Sequence, residues 1–367
     1  MAKLQNKKVM VAMSGGVDSS VAALLLKASG YDVIGATLRL WVDPPAEERA
    51  GEEAKGCCSH DAVSDARKVA ALLDIPHYVL DMKEEFYEKI VCNFAAEYLR
   101  GRTPSPCIEC NRTIKFNSLR QKARGLGIDY IATGHYARID YEPDLKIYKL
   151  YKGFDQQKDQ SYMLYILGQE ELAATIFPLG DKTKEQVRKI AAENDLAVAG
   201  KDESQEICFI PDNDYRSFLE RSFPEAVRLG DIYSTEGQKL GRHRGIAFYT
   251  VGQRKGLGLT APHPLYVVQI DAQSNRVIVG PEEEVYSAGL FAGELNFVSG
   301  EPPAKPLEVE VKIRYRAPAV SAVLQPPIEG CSRVVFEQKQ KAVTPGQSAV
   351  FYRGEEVVGG GIIKSAI

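Results

Sequence analysis

Several features are missing from these 367 residues, and each absence narrows the possibilities. No apolar run approaches the roughly 20 residues that a membrane-crossing helix needs, so no membrane role is expected. The opening MAKLQNKKVMVAMSGG has neither the long apolar core nor the small-residue cleavage site of a secretory signal, and the cytoplasm is the expected compartment. The cysteines number seven, an odd count, and are scattered rather than spaced as a disulfide framework. In a reducing compartment such thiols serve as buried hydrophobes, metal ligands or catalysts. No internal repeat or low-complexity tract occurs. The G-K-[ST] tripeptide of a Walker phosphate loop is absent throughout. A net charge of −3 argues against a globally basic nucleic-acid binder.

What is present is an ordinary globular composition, 44% hydrophobic and 26% charged, with charge gathered locally. Between Arg100 and Arg124 there are seven Arg/Lys and one acid; between Lys239 and Lys255 there are five Arg/Lys, one His and no acid. Solvated helix faces account for most such runs, yet two separate blocks keep a polyanionic partner in play. Residues 7–13, 31–41, 76–82 and 128–133 read as short apolar strands, and residues 20–29, 61–73, 84–99 and 112–125 as helices. That alternation predicts an α/β fold, a doubly wound parallel sheet. Residues 43–56 read as a mobile loop. Past residue 211 the pattern shifts to short strands with Gly turns. The expected domains are residues 1–210, a small central linker domain 211–285, and a C-terminal β-barrel 286–367.

Ser14-Gly-Gly-Val-Asp-Ser-Ser20 falls where the first strand gives way to a helix. Two glycines let backbone wrap closely around an anion, and the helix start aims N–H groups at it. Ser14, Ser19 and Ser20 would add hydroxyl donors, and Asp18 a carboxylate for a magnesium ion bridging phosphates. A Gly-rich turn with an Asp/Ser cap is the bland alternative. The stretch resembles the S-G-G-x-D-S signature of the ATP pyrophosphatase (PP-loop) superfamily, which cleaves ATP between the α- and β-phosphates and adenylates a carbonyl oxygen of its acceptor.

Four further stretches narrow the resemblance: Arg102-Thr-Pro-Ser-Pro-Cys-Ile-Glu-Cys-Asn111 with Lys115 and Phe116, Lys158-Asp-Gln-Ser161, Glu206-Ile-Cys-Phe-Ile210, and Gly252-Gln-Arg-Lys-Gly-Leu-Gly258. Together, and over essentially the whole chain, they are similar to the bacterial tRNA 2-thiouridylase family, which replaces O2 of the wobble uridine with sulfur. Replacing a carbonyl oxygen needs that oxygen turned into a leaving group, then a sulfur nucleophile, then a second thiol that releases the transferred sulfur. The resemblance implies that Cys208 carries a persulfide and that Cys110 is the nucleophilic partner thiol. Cys110 is expected just before a basic helix, where positive charge and helix N–H groups would lower its pKa.

The resemblance further implies ATP and Mg²⁺, held by Ala12, Met13, Ser14, Gly15, Gly16, Val17, Asp18 and Ser19, with Leu38 at the adenine and Gly134 at the nucleotide. It implies tRNA contacts, through the anticodon stem-loop, at His135, Lys158, Asp159, Gln160, Arg314, Tyr315 and Gln347. Each has a structural alternative: a histidine after a strand, charges capping a helix, a strand end at the surface. A cysteine desulfurase or sulfur-relay protein is the implied donor. Cys107 departs from family members with an acidic residue at that position. Cys107, Cys110 and Cys208 could together seat a 4Fe-4S cluster, against simple redox protection by the C-x-x-C pair. Cys57, Cys58, Cys92 and Cys331 read as structural. The rivals are another PP-loop tRNA thiolase and a non-catalytic binder in which Cys107 and Cys110 hold zinc.

Overall fold

Short β-rich runs at the start of the chain form the frame on which everything else hangs. A computed structural model describes residues 7–41, 60–201, 207–210 and 213–367. The expected loop at 43–56, Cys57, Cys58 and Glu206 lie outside the described residues. Strands β1 (Lys8–Ala12), β2 (Asp32–Arg39), β3 (His77–Asp81) and β4 (Tyr130–Ala132) fall within the runs predicted. A hairpin follows, β5 (Ala137–Glu142) and β6 (Ile147–Lys152), and then the two-residue strand β7 (Thr175–Ile176). The sheet order is β3-β2-β1-β4-β7, with every pairing parallel.

Along β1 the side chains alternate between two buried faces. Val9 and Val11 join a core with Val21 and Leu26 of helix Val17–Ala28, Ala66 and Val69 of helix His60–Leu72, and Val187 and Ala191 of helix Lys184–Glu193. Met10 is equally buried and faces the other way. Burial on both faces is what a parallel sheet requires.

Two predicted helices are wider than expected. The one at 84–99 runs as Lys83–Phe86, a π-helical turn Tyr87–Val91, and Cys92–Leu99. The other begins earlier than predicted, as Pro106–Cys110, then π-helical Asn111–Ser118 and α-helical Leu119–Gly125. Hydroxyls compete here for backbone carbonyls: Thr113 Oγ1 donates to Glu109 O at 2.8 Å and Ser118 Oγ to Thr113 O at 2.9 Å.

By contact density the chain divides into two units. The first comprises Met1–Ile90, Cys107–Asn213 and Glu355–Val357. Those last three residues return to hairpin strand β6: Glu356 pairs with Tyr151 and Val357 with Leu150. Lys152 N–H donates to Glu355 O at 2.9 Å, and Arg138 pairs with the Glu355 carboxylate at 2.6 Å.

The second unit comprises Val91–Pro106, Asp214–Gly354 and Val358–Ile367. It contains a four-stranded sheet of β8 (Gly230–Ser234), β9 (Lys239–His243), β10 (Tyr266–Asp271) and β11 (Arg276–Gly280), in the order β10-β11-β8-β9. The remaining strands are β12 (Tyr286–Phe297), β13 (Leu307–Lys312), β14 (Val320–Leu324), β15 (Ser332–Lys341), β16 (Ser348–Arg353) and β17 (Glu356–Ala366). They run β12-β15-β14-β13-β16-β17, and β12 also pairs with β17, closing a six-stranded barrel. Leu290, Val311, Leu324, Val334, Phe351 and Ile363 fill it. The α/β class, the small central sheet domain and the C-terminal barrel agree with the sequence. Among the described residues, no helix is long and apolar enough to cross a membrane.

Candidate active site

Strand β1 ends at Ala12, and its extension is pinned by Thr37 of β2, whose hydroxyl donates to the Met13 carbonyl at 2.8 Å. Gly15 takes φ +70°, and a Cβ there would lie 2.1 Å from the Ala62 carbonyl oxygen, so only glycine fits. Gly16 is the N-cap residue of helix Val17–Ala28 and brings no capping side chain. The amides of Val17, Asp18 and Ser19 thus open the helix ahead of any carbonyl partner from a preceding turn, an arrangement that attracts anions. Ser20, expected to add a hydroxyl for phosphate, instead turns inward. Ser19 and Ser20 hydroxyls donate to the Gly16 carbonyl at 3.2 and 2.8 Å, and Ser19 Oγ accepts from the Ser14 N–H at 3.1 Å. Both are buried because they brace the loop; Ser14 is exposed.

The Asp18 carboxylate is already engaged. Lys184 Nζ lies 2.7 and 2.8 Å from its two oxygens, and the Tyr136 hydroxyl donates to one of them at 2.7 Å. Lys184 opens helix Lys184–Glu193, whose start is set by a capping box between Thr183 and Gln186. An ammonium at the positive end of a helix dipole is unfavourable, and Asp18 offsets it. A phosphate chain fits the loop as built. Asp18 is the carboxylate that would hold magnesium here, in competition with Lys184, which occupies both of its oxygens.

The end of β4 meets this loop. A Cβ on Gly134 would lie 2.8 Å from the Asp18 carbonyl carbon and the Ser19 nitrogen, so glycine alone allows that approach. Next in sequence, half-buried His135 sits between Phe116 and Phe177, ring centroids 5.9 Å from each, with Nδ1 2.7 Å from Thr133 Oγ1. Burial, helped by the Lys115 charge, holds its imidazole well below the ordinary value, so it is neutral at pH 7. Residues 134–136 therefore touch the phosphate loop on one side and Phe116, of the cysteine-bearing helix, on the other. That crevice beyond the carboxyl ends of the strands is where open α/β sheets bind ligands. Leu38 is buried on β2.

Cys110 is buried within the helical run that starts at Pro106. It does not precede a helix, so the first-turn amides invoked to lower its pKa lie ahead of it in the chain. Asn111 anchors the run by donating its amide to Met163 O at 3.0 Å. Cys107 is exposed, and Cys208 is half-buried beside Phe209, which packs on Trp41 and Phe86 at 6.1 and 5.8 Å. Cys92, Cys107, Cys110, Cys208 and Cys331 form no disulfide. Among the described residues no three His, Cys, Asp or Glu gather as a metal site. The suggested cluster on Cys107, Cys110 and Cys208 is therefore not supported by this arrangement, in which Cys110 is buried and Cys107 is more exposed.

Three family models match in succession: the tRNA methyl transferase HUP domain over residues 7–212, the tRNA methyl transferase PRC-barrel domain over 216–281, and the aminomethyltransferase beta-barrel domain over 287–363. The tRNA-specific 2-thiouridylase MnmA of Natranaerobius thermophilus is 53% identical, covering 99% of both chains, and that of Acetivibrio thermocellus is 54% identical, covering 98% of this chain and 100% of the relative. The chain belongs to the tRNA-specific 2-thiouridylase family. Among solved structures, a 4-thiouridine synthetase–RNA complex with bound ATP matches at 16% identity and a TM-score of 0.35, covering 60% of this chain and 51% of that one, a likeness too distant to add to the assignment.

For a 2-thiouridylase, the side chains expected at tRNA are unevenly disposed. Asp159 is buried, its carboxylate accepting from Gly153 N–H, Ser161 N–H and Ser161 Oγ, each at 3.0 Å. Gln160 Oε1 accepts from Tyr136 N–H at 3.0 Å. Both shape the turn beside half-buried Lys158. In the second unit, Arg314 is exposed in the turn after β13 and donates to Lys341 O at 2.9 Å, with Tyr315 next to it. Gln347 donates its amide to Thr103 O at 2.9 Å and Pro104 O at 3.3 Å. Sequence reasoning missed Tyr136, Lys184, Lys201 and Asp65. For Lys184 a signal existed: Thr183-Lys-Glu-Gln186 reads as a capping box with a cation at the wrong end of its helix.

Proposed function

We infer that the protein is an ATP-dependent tRNA-uridine 2-sulfurtransferase that adenylates O2 of the wobble uridine, position 34, and then replaces it with sulfur. The observation that carries the reading is identity above 50% to 2-thiouridylases along the whole chain, together with a phosphate loop in which Gly15 has no room for a side chain. Residues 12–19 and Gly134 hold the triphosphate of ATP, and Leu38 meets the adenine. The magnesium that accompanies ATP would be held by Asp18 and would neutralise charge on the phosphates as pyrophosphate departs.

In the first step the uridine O2 attacks the α-phosphorus and pyrophosphate leaves. In the second, the terminal sulfur of a Cys208 persulfide attacks C2 and AMP leaves. The Cys110 thiolate then attacks the Cys208 sulfur, breaking the S–S bond to the transferred atom; 2-thiouridine is released, and a Cys110–Cys208 disulfide remains for an external thiol to reduce. The cysteine side of the crevice must be water-poor for this, and the buried setting of Cys110 supports that. A cysteine desulfurase or relay protein loads Cys208. His135, Lys158 and its neighbours, with Arg314, Tyr315 and Gln347, bear on the anticodon stem-loop, where an unpaired base can be splayed and stacked. Incubation with tRNA, ATP and a persulfide donor, followed by mass spectrometry of the nucleosides, should yield 2-thiouridine and stoichiometric pyrophosphate. Pyrophosphate release without a thiolated nucleoside would overturn the sulfur-transfer reading.

A further inference from the structure

Lys201 stands outside every role assigned above, yet it reaches into the back of the phosphate loop. Its Nζ donates to the Gly15 carbonyl at 3.1 Å and to Asp65 Oδ2 at 3.0 Å, Asp65 lying on helix His60–Leu72. The next carbonyl, Gly16 O, is taken from the same loop by the Ser19 and Ser20 hydroxyls. No peptide bond here is cis. In a planar trans peptide the C=O and the following N–H point in opposite directions. A carbonyl drawn to the back of the loop therefore sends the following amide to the front.

We propose that Lys201 is a positioning residue for the phosphate loop: by holding the Gly15 carbonyl it turns the Gly16 N–H toward the phosphates. The lysine delivers orientation more than charge, because Asp65 already neutralises it. Burial works against ionisation of Asp65, but hydrogen bonds from Lys201 and Lys68 outweigh it and keep the carboxyl below its usual range, so the pair stays ionised at neutral pH. Glycine at φ +70° has little steric resistance to a peptide flip, which is why a loop of this kind needs an external hold. Ser20 supplies that hold for Gly16, and Lys201 for Gly15.

The inference rests on the reading of residues 12–19 as the triphosphate site, and the experiment separates the two. Full-length wild type, Lys201→Met, Lys201→Arg and Gly15→Ala are titrated calorimetrically with inorganic pyrophosphate in the presence of magnesium, and separately with adenosine. Loss of one oriented donor to a charged group should weaken pyrophosphate binding about 10- to 100-fold in Lys201→Met. Adenosine affinity should be unchanged, and Lys201→Arg should recover most of the loss. If Gly15→Ala loses pyrophosphate while Lys201→Met binds like wild type, the role of Lys201 is overturned and the loop reading stands. Wild-type pyrophosphate affinity in both variants overturns the loop reading as well. An equal loss of pyrophosphate and adenosine in Lys201→Met marks general damage and also overturns the positioning role.

Discussion

The phosphate loop and the cysteine-bearing helix are held in opposite ways. Around residues 14–20 the polar groups are tied down: two carbonyls, two serine hydroxyls and one carboxylate have named partners, several drawn from distant parts of the chain. Around residues 106–118 buried Ile108, Ile114 and Phe116 supply an apolar hold, the polar ties of Thr113 and Ser118 run largely to carbonyls of the same helix, and the thiols form no disulfide and no metal site among the described residues. The chemistry asked of each explains the contrast. Phosphate stabilisation gains from dipoles fixed before the ligand arrives. In the proposed reaction a thiol passes between thiolate and disulfide, a change of bonding that a fixed dipole frame does not serve.

The sharpest way to break the contrast is to remove the thiols. Cys110→Ser and Cys208→Ser should each lower thiolated nucleoside on the order of 10³-fold or more while pyrophosphate release persists, since neither thiol attacks ATP. Thiolation at the wild-type rate by either variant would refute a two-thiol mechanism. Asp18→Asn should do the reverse: pyrophosphate release falls roughly 10²- to 10³-fold, while Cys208 still takes up a sulfur atom by protein mass spectrometry. Phe116→Ala tests the apolar hold and should cost about 3–5 kcal/mol in urea unfolding. Lys184→Met strips donors from a half-buried carboxylate and should cost less, about 1–3 kcal/mol. A larger loss at Lys184 than at Phe116 would invert the comparison.

The smallest effect concerns pH. His135 is depressed in the folded state, so the unfolded chain, with an ordinary histidine near 6.5, binds its proton first as pH falls. Its contribution to stability is complete above that value and is lost below it. Replacing His135 with Gln should flatten the decline of stability between about pH 6.5 and 5, by up to about 1.4 kcal/mol per pH unit. An unchanged slope in urea titrations would show that the ring is not held neutral.

Contiguous features could be read from the chain and dispersed ones could not. The parallel strands, the loop at 14–20 and the C-terminal barrel follow from local pattern, because period and turn residues lie next to one another. Ser20 was misjudged since nothing local says whether a helix-start serine faces outward or braces the Gly16 carbonyl. Cys110 was put ahead of a helix expected to begin at residue 112, whereas the helical run begins at Pro106, a proline at a helix start being well tolerated. Lys184 and Lys201 escaped notice because a lysine far along the chain carries no mark of the carboxylate or carbonyl it will meet.

The return of residues 355–357 to the first unit has a bearing on how this chain comes into being. Strand β6 has its outer neighbour only when Glu356 and Val357 arrive, and Arg138 finds its carboxylate only in Glu355. A nascent chain that has emerged from the ribosome through residue 213 carries the whole phosphate loop, Cys110, Cys208 and the full parallel sheet, yet it leaves one edge of the hairpin bare. Bare edges recruit stray strands. While residues 153–354, between the hairpin and Glu355, are being made, the unit that handles ATP therefore presents an unfinished border.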